Sequence, residues 1–81
     1  MTSRDKRFAK IIFGNKTNYR YDWVKNFLEY YYFYPEKQGS SHIIFRRNPY
    51  PHITIVTHGN HVKRWYVKNA IKILRKFQII P

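Results

Sequence analysis

The chain has four histidines and no cysteine, so imidazole is its main resource for proton transfer, nucleophile activation or metal binding. With an unperturbed pKa of ~6.5, an imidazole is part protonated near neutral pH, so one ring can remove a proton while another returns one. His42 carries the most weight among them, because the alternating segment Ser41-His42-Ile43-Ile44-Phe45-Arg46-Arg47 puts it with Arg46 on the side away from Ile43 and Phe45, an accessible basic surface. A histidine at a strand edge more often packs or binds water, so its neighbours decide its weight. His58 and His61 lie in the segment His58-Gly59-Asn60-His61, read as a loop. Zinc asks for three or four ligands, so this pair reads instead as cationic or hydrogen-bonding groups beside the same face as His42. No metal or cofactor is expected. Asp5, Asp22, Glu29 and Glu36 compose no Ser-His-Asp arrangement, and Gly14, Gly39 and Gly59 form no phosphate-cradling loop.

Sixteen Lys and Arg stand against four Asp and Glu, a formal net charge of +12. Such a field attracts polyanions, and nucleic acid is the expected partner, RNA above all, with an acidic membrane surface or an acidic protein as the alternatives. The cations fall into groups. Lys68, Lys72 and Arg75 recur at i, i+4 and i+7 on one helix face, Arg46 and Arg47 end a strand, and Lys63 with Arg64 opens the last helix. A row of charges usually means a solvated face, but the near absence of interspersed acids favours phosphate contacts. Lys37 and His58 are further candidates for placing charge beside a phosphate.

These residues need a scaffold, and the composition supplies one. Hydrophobic residues make up 43% and aromatics 20% of the 81 positions, too many for a disordered basic tail. One domain, residues 1–81, is expected. At this length only about 60% of the unfolded surface becomes buried, which leaves a thin core and no deep cofactor pocket. No apolar run approaches the ~20 residues of a membrane span, and the charged N-terminus has no apolar stretch behind it, so a cytoplasmic protein without membrane partners is expected.

Periodicity places the elements. Phe8, Ile11 and Ile12 give a short helix over Arg4–Phe13, with Ser3 as its cap and Gly14 beyond its end. Asn15–Arg20 is polar and reads as a loop. Trp23, Val24, Phe27, Leu28 and Tyr31 recur at helical spacing behind Asp22, and that helix must end before Pro35. A short strand starts in the aromatic run Tyr30–Tyr34. Two paired strands follow, with Ile43, Phe45, Ile53 and Ile55 on one side and His42, Ile44, Arg46, Thr54 and Val56 on the other, separated by the turn Asn48-Pro49-Tyr50-Pro51. A final helix from about Lys63 carries the apolar stripe Val67, Ala70, Ile71, Leu74 and Phe77. The sum is an α+β two-layer sandwich, a three-stranded antiparallel sheet with helices on one face and the other face open.

The segment Gly39-Ser40-Ser41-His42-Ile43-Ile44-Phe45-Arg46 resembles the HicA toxins, small mRNA interferases of toxin–antitoxin pairs, which carry Gly-Ser, then histidine, then a short apolar strand ending in an aromatic and a basic residue. Asp22 near the start of a helix, His58-Gly59 after a strand, and the last helix around Tyr66–Ile71 resemble further family elements across most of the chain. Ser41 stands between Gly39-Ser40 and His42, a residue placed in the turn before the strand. The resemblance implies a double-stranded-RNA-binding-domain-like fold with an extra short N-terminal helix. It also implies His42 as the catalytic histidine of a metal-independent endoribonuclease, and a HicB-type antitoxin that covers the open face. The alternatives are a non-catalytic RNA-binding module of the same fold, a degenerate toxin, and a basic adaptor that binds protein.

Overall fold

In the computed structural model, which describes residues 3–37 and 39–81, each apolar period becomes an element with that stripe turned inward. α1 (Ser3–Phe13) buries Phe8 and Ile11, α2 (Tyr21–Tyr30) buries Val24, Phe27 and Leu28, and α3 (Arg64–Lys76) buries Val67, Ala70, Ile71 and Leu74. The strands are β1 (Asn18–Arg20), β2 (Tyr34–Lys37), β3 (His42–Arg46), β4 (Ile53–His58) and β5 (His61–Lys63). They form one antiparallel sheet in the order β1-β5-β4-β3-β2. Tyr19, Ile43, Phe45, Ile53, Ile55 and Val62 point from the sheet into the same core as the helices, so all the helical cover lies on one face. No helix among the described residues is long and apolar enough to cross a membrane.

The architecture is α+β, but the sheet has five strands rather than three. The polar segment read as a loop over Asn15–Arg20 contains β1, and the segment after His58 turns back at once into β5. Gly59 explains that turn. Its φ of +60° lies in the left-handed region, as the first position of a two-residue hairpin turn demands. β1 and β5 then pair with each other, Tyr19 opposite Val62, both side chains buried. Each of these strands runs straight into a helix, and backbone bonds fasten the junctions: the Tyr21 amide donates to the Asn60 carbonyl at 2.7 Å and the Arg64 amide to the Thr17 carbonyl at 3.0 Å.

Two helices end in the same way. Tyr32 at φ 67° and Gln78 at φ 59° follow the last turns of α2 and α3. The Phe33 amide reaches back to the Leu28 carbonyl, and the Ile79 amide to that of Leu74, the six-to-one bond that satisfies free helical carbonyls. The second closure corrects the expected stripe of α3. Phe77 is not in the core but past the helix, 37% exposed, with its ring edge-on to Tyr50 at 5.5 Å. Gly14 follows α1 for a different reason: a Cβ there would stand 2.0 Å from the Lys10 carbonyl oxygen.

Candidate functional site

A strand's period of two, applied through the observed register, defines the open face of the sheet. His42 lies opposite Val56, Ile44 opposite Thr54, His58 opposite His61, and His61 opposite Arg20. With Ile43, Phe45, Ile53, Ile55 and Val62 buried, their alternates His42, Arg46, His58 and His61 are exposed on the other side. Because His58 lies two residues beyond Val56, it is the diagonal neighbour of His42 on that face, at a backbone separation of ~7–8 Å. Three histidines from three successive strands, β3, β4 and β5, thus share one end of one open face. His58, His61, Lys63 and Asn18 line a shallow depression there. His61 was visible in the sequence, but its place on a strand was not. The Gly-Asn dipeptide between two histidines was the available signal, since a glycine-led two-residue turn closes hairpins.

The basic candidates separate once folded. Arg46 stays on the open face, its Nε donating to Glu36 Oε2 at 3.0 Å in an exposed ion pair. Arg47, next in sequence, turns away: its Nη1 donates to the Tyr31 carbonyl at 3.1 Å, and its guanidinium lies 4.9 Å from the Tyr50 ring centroid and 5.6 Å from that of Tyr32. That residue fastens the α2 end to the β3–β4 turn. Lys63 is on the sheet face beside the histidines. Arg64 is held by Asn15, through the backbone oxygen at 3.3 Å and Oδ1 at 2.9 Å. Lys68, Lys72 and Arg75 are exposed on α3, in the helix layer and away from the sheet's open face. Lys68 Nζ donates to the Gly14 carbonyl at 3.0 Å and Arg75 Nε to that of Pro81 at 3.2 Å. Lys37 belongs to β2, but its side chain lies outside the described residues.

The sheet face therefore gathers His42, His58 and His61 with Lys63 at one end and carries Arg46 at the other, whereas the row on α3 forms a separate basic surface. Among the described residues, no group of three or more His, Cys, Asp or Glu side chains is placed to hold a metal ion. What the sheet face can do is accept an anion and exchange protons with it on two sides. Comparisons of the chain with known protein families, with curated proteins and with solved structures found no match.

Proposed function

We propose that this protein cleaves RNA without a metal, by histidine acid–base catalysis on the open sheet face, and that it acts as the toxin of a toxin–antitoxin pair. The observation that carries the reading is the diagonal placement of His42 and His58 on one exposed, strongly basic face. In RNA self-cleavage the attacking 2′-oxygen and the departing 5′-oxygen lie on opposite sides of phosphorus. One imidazole takes the 2′-hydroxyl proton as the 2′-O–P bond forms, and a second, protonated, gives its proton to the 5′-oxygen as the P–O bond breaks. The products are a 2′,3′-cyclic phosphate and a free 5′-hydroxyl. Each imidazole must come within ~3 Å of its oxygen, so the two rings must bracket the phosphate rather than touch each other. A diagonal pair on adjacent strands suits that demand. Lys63, which lines the depression with His58 and His61, supplies a cation beside the crowded phosphate as charge accumulates on it, while Arg46, four residues along β3 from His42, adds charge at the other end of the face.

The stretch α2-β2-β3-β4 followed by α3 runs helix, strand, strand, strand, helix, the order of a double-stranded-RNA-binding domain, with α1 and the β1–β5 pair added around it. The resemblance to HicA toxins at Gly39–Arg46 puts His42 at the reaction centre. A neutralising protein of the HicB type would lay acidic side chains across this face, where the +12 charge would speed its arrival.

The test is purified wild type and His42→Ala incubated with mixed single-stranded RNA in excess chelator. Cleavage to cyclic-phosphate ends by wild type alone is the expected result. Binding without cleavage by either form would overturn the enzymatic reading and leave a non-catalytic RNA-binding module.

A further inference from the structure

Three surface depressions of the fold follow one another, each sharing a wall residue with the next. The first lies between α1 and α2, walled by Arg4, Arg7, Trp23 and Tyr30. The second, at the start of α2, shares Trp23 with the first and adds Lys16, Arg20 and His61. The third is the histidine depression on the sheet face, which shares His61 and Asn18 with the second. Shared walls place them end to end as a segmented channel, from the α1–α2 crevice, past the β1 edge, to His58 and His61.

Cations follow the channel, and aromatic rings hold them there. The Arg7 guanidinium and the Lys16 ammonium lie 5.2 and 5.6 Å from the Trp23 ring, and the Arg4 guanidinium lies 4.7 Å from that of Tyr30. Arg20 follows, held by the Asp22 carboxylate at 3.3 Å rather than by a ring, and Lys63 stands at the far end. The carboxylate on its wall, Glu29, is paired with Lys25 at 3.7 Å.

We propose that this channel seats a single strand of RNA and leads one of its phosphates to the histidines. This rests on the reading of the sheet face as a ribonuclease site. A basic groove with aromatic side chains set along it is how proteins hold single strands, cations tracking the phosphates while bases stack on rings. An A-form duplex is recognised by its overall shape and by phosphates across its grooves. A stiff duplex cannot follow a channel that turns from the helix layer around the β1 edge onto the sheet, whereas a single strand can. None of Arg4, Arg7, Lys16, Arg20 or Trp23 stood out from the sequence, because α1, β1 and α2 bring them together only in the fold.

The chain has two tryptophans, so Trp65→Phe leaves Trp23 as the sole indole reporter. That protein is titrated with a 2′-O-methyl uridine hexanucleotide, which binds as RNA but lacks the attacking hydroxyl. Emission from Trp23 is expected to change with saturation of binding. Adding Arg7→Gln and Lys16→Gln, both at exposed positions, is expected to weaken affinity on the order of tenfold and to reduce the slope of log affinity against log salt by about 1.4, two phosphates at ~0.7 each. Circular dichroism confirms that the variant is folded. Hexanucleotide binding seen by anisotropy, with Trp23 emission unchanged and affinity indifferent to the double variant, would overturn the channel. It would place the strand elsewhere, as on the α3 row, or leave the channel to an acidic protein. Because the probe cannot be cleaved, this outcome is independent of catalysis.

Discussion

His58 and His61 face each other across the last pair of the β4–β5 ladder, with two residues of turn between them and both side chains exposed on the open face. Three strands thereby bring imidazoles to one end of the sheet, and His58 is the one diagonal to His42. His58→Ala is therefore expected to slow RNA cleavage by roughly 10²-fold or more, the usual contribution of a general acid or base. His61→Ala is expected to have a smaller effect. Single-turnover rates with a defined oligonucleotide make the comparison. Equal, small losses in both variants would show that another group completes the proton transfer.

Arg46 and Arg47, adjacent in the chain, are expected to fail in opposite ways. Arg47→Met removes the donor to the Tyr31 carbonyl and the stacking on Tyr32 and Tyr50, and is expected to destabilise the fold by about 1–3 kcal/mol. Arg46→Gln breaks only an exposed pair with Glu36 and is expected to change stability by less than about 1 kcal/mol. Urea midpoints rank the two. RNA affinity is expected to reverse the order, Arg46→Gln weakening it more among folded protein.

Backbone conformation predicts the sign of two further substitutions. Gln78 closes α3 in the left-handed region at φ 59°, where a side chain carries a penalty of roughly 1–2 kcal/mol that glycine escapes. Gln78→Gly is expected to raise stability by up to about 1 kcal/mol, since glycine also loosens the unfolded chain. Gly14→Ala is expected to lower it by more than that gain, because the new methyl would meet the Lys10 carbonyl oxygen at 2.0 Å and that neighbour is rigid helix backbone. Thermal unfolding of both variants distinguishes the directions.

Burial pushes the Tyr31 hydroxyl above its ordinary value of 10.0, with a smaller contribution from neighbouring Tyr30; burial does the same at Tyr21, with help from Glu29. A phenol whose folded pKa is raised keeps its proton longer in the native state than in the unfolded chain. Its stabilisation is complete below about pH 10 and falls away as pH climbs past that value. Relative to Tyr31→Phe, the wild-type urea midpoint is expected to hold steady from pH 7 to 9 and to drop more steeply above about 10. Parallel curves for the two proteins would contradict this account.

Helices α1, α2 and α3 and strands β3 and β4 could be read from the chain alone, because each carries enough apolar residues for its period to show. The alternation Ile43, Phe45, Ile53, Ile55 determined which side of the sheet would be buried, and hence that His42 and Arg46 would be exposed together. Strands β1 and β5 were another matter. At three residues each they have no period to detect, and they exist because they pair with one another, Tyr19 against Val62, in a core built by everything else.

The sequence by itself thus determined the α+β class, the helical stripes apart from Phe77, the strongly basic balance and the candidacy of His42. Tertiary structure decided which cations besides Arg46 share a surface with that histidine. Neighbours in sequence point to opposite sides of a strand, so Arg46 remains with His42 while Arg47 is captured by a carbonyl sixteen residues away. The α3 row, regular on paper, lies in the other layer. Arg7, Lys16 and Trp23 come from separate parts of the chain, and only the packing of α1 against α2 and the β1 edge brings them to two adjoining depressions, the second of which reaches His61.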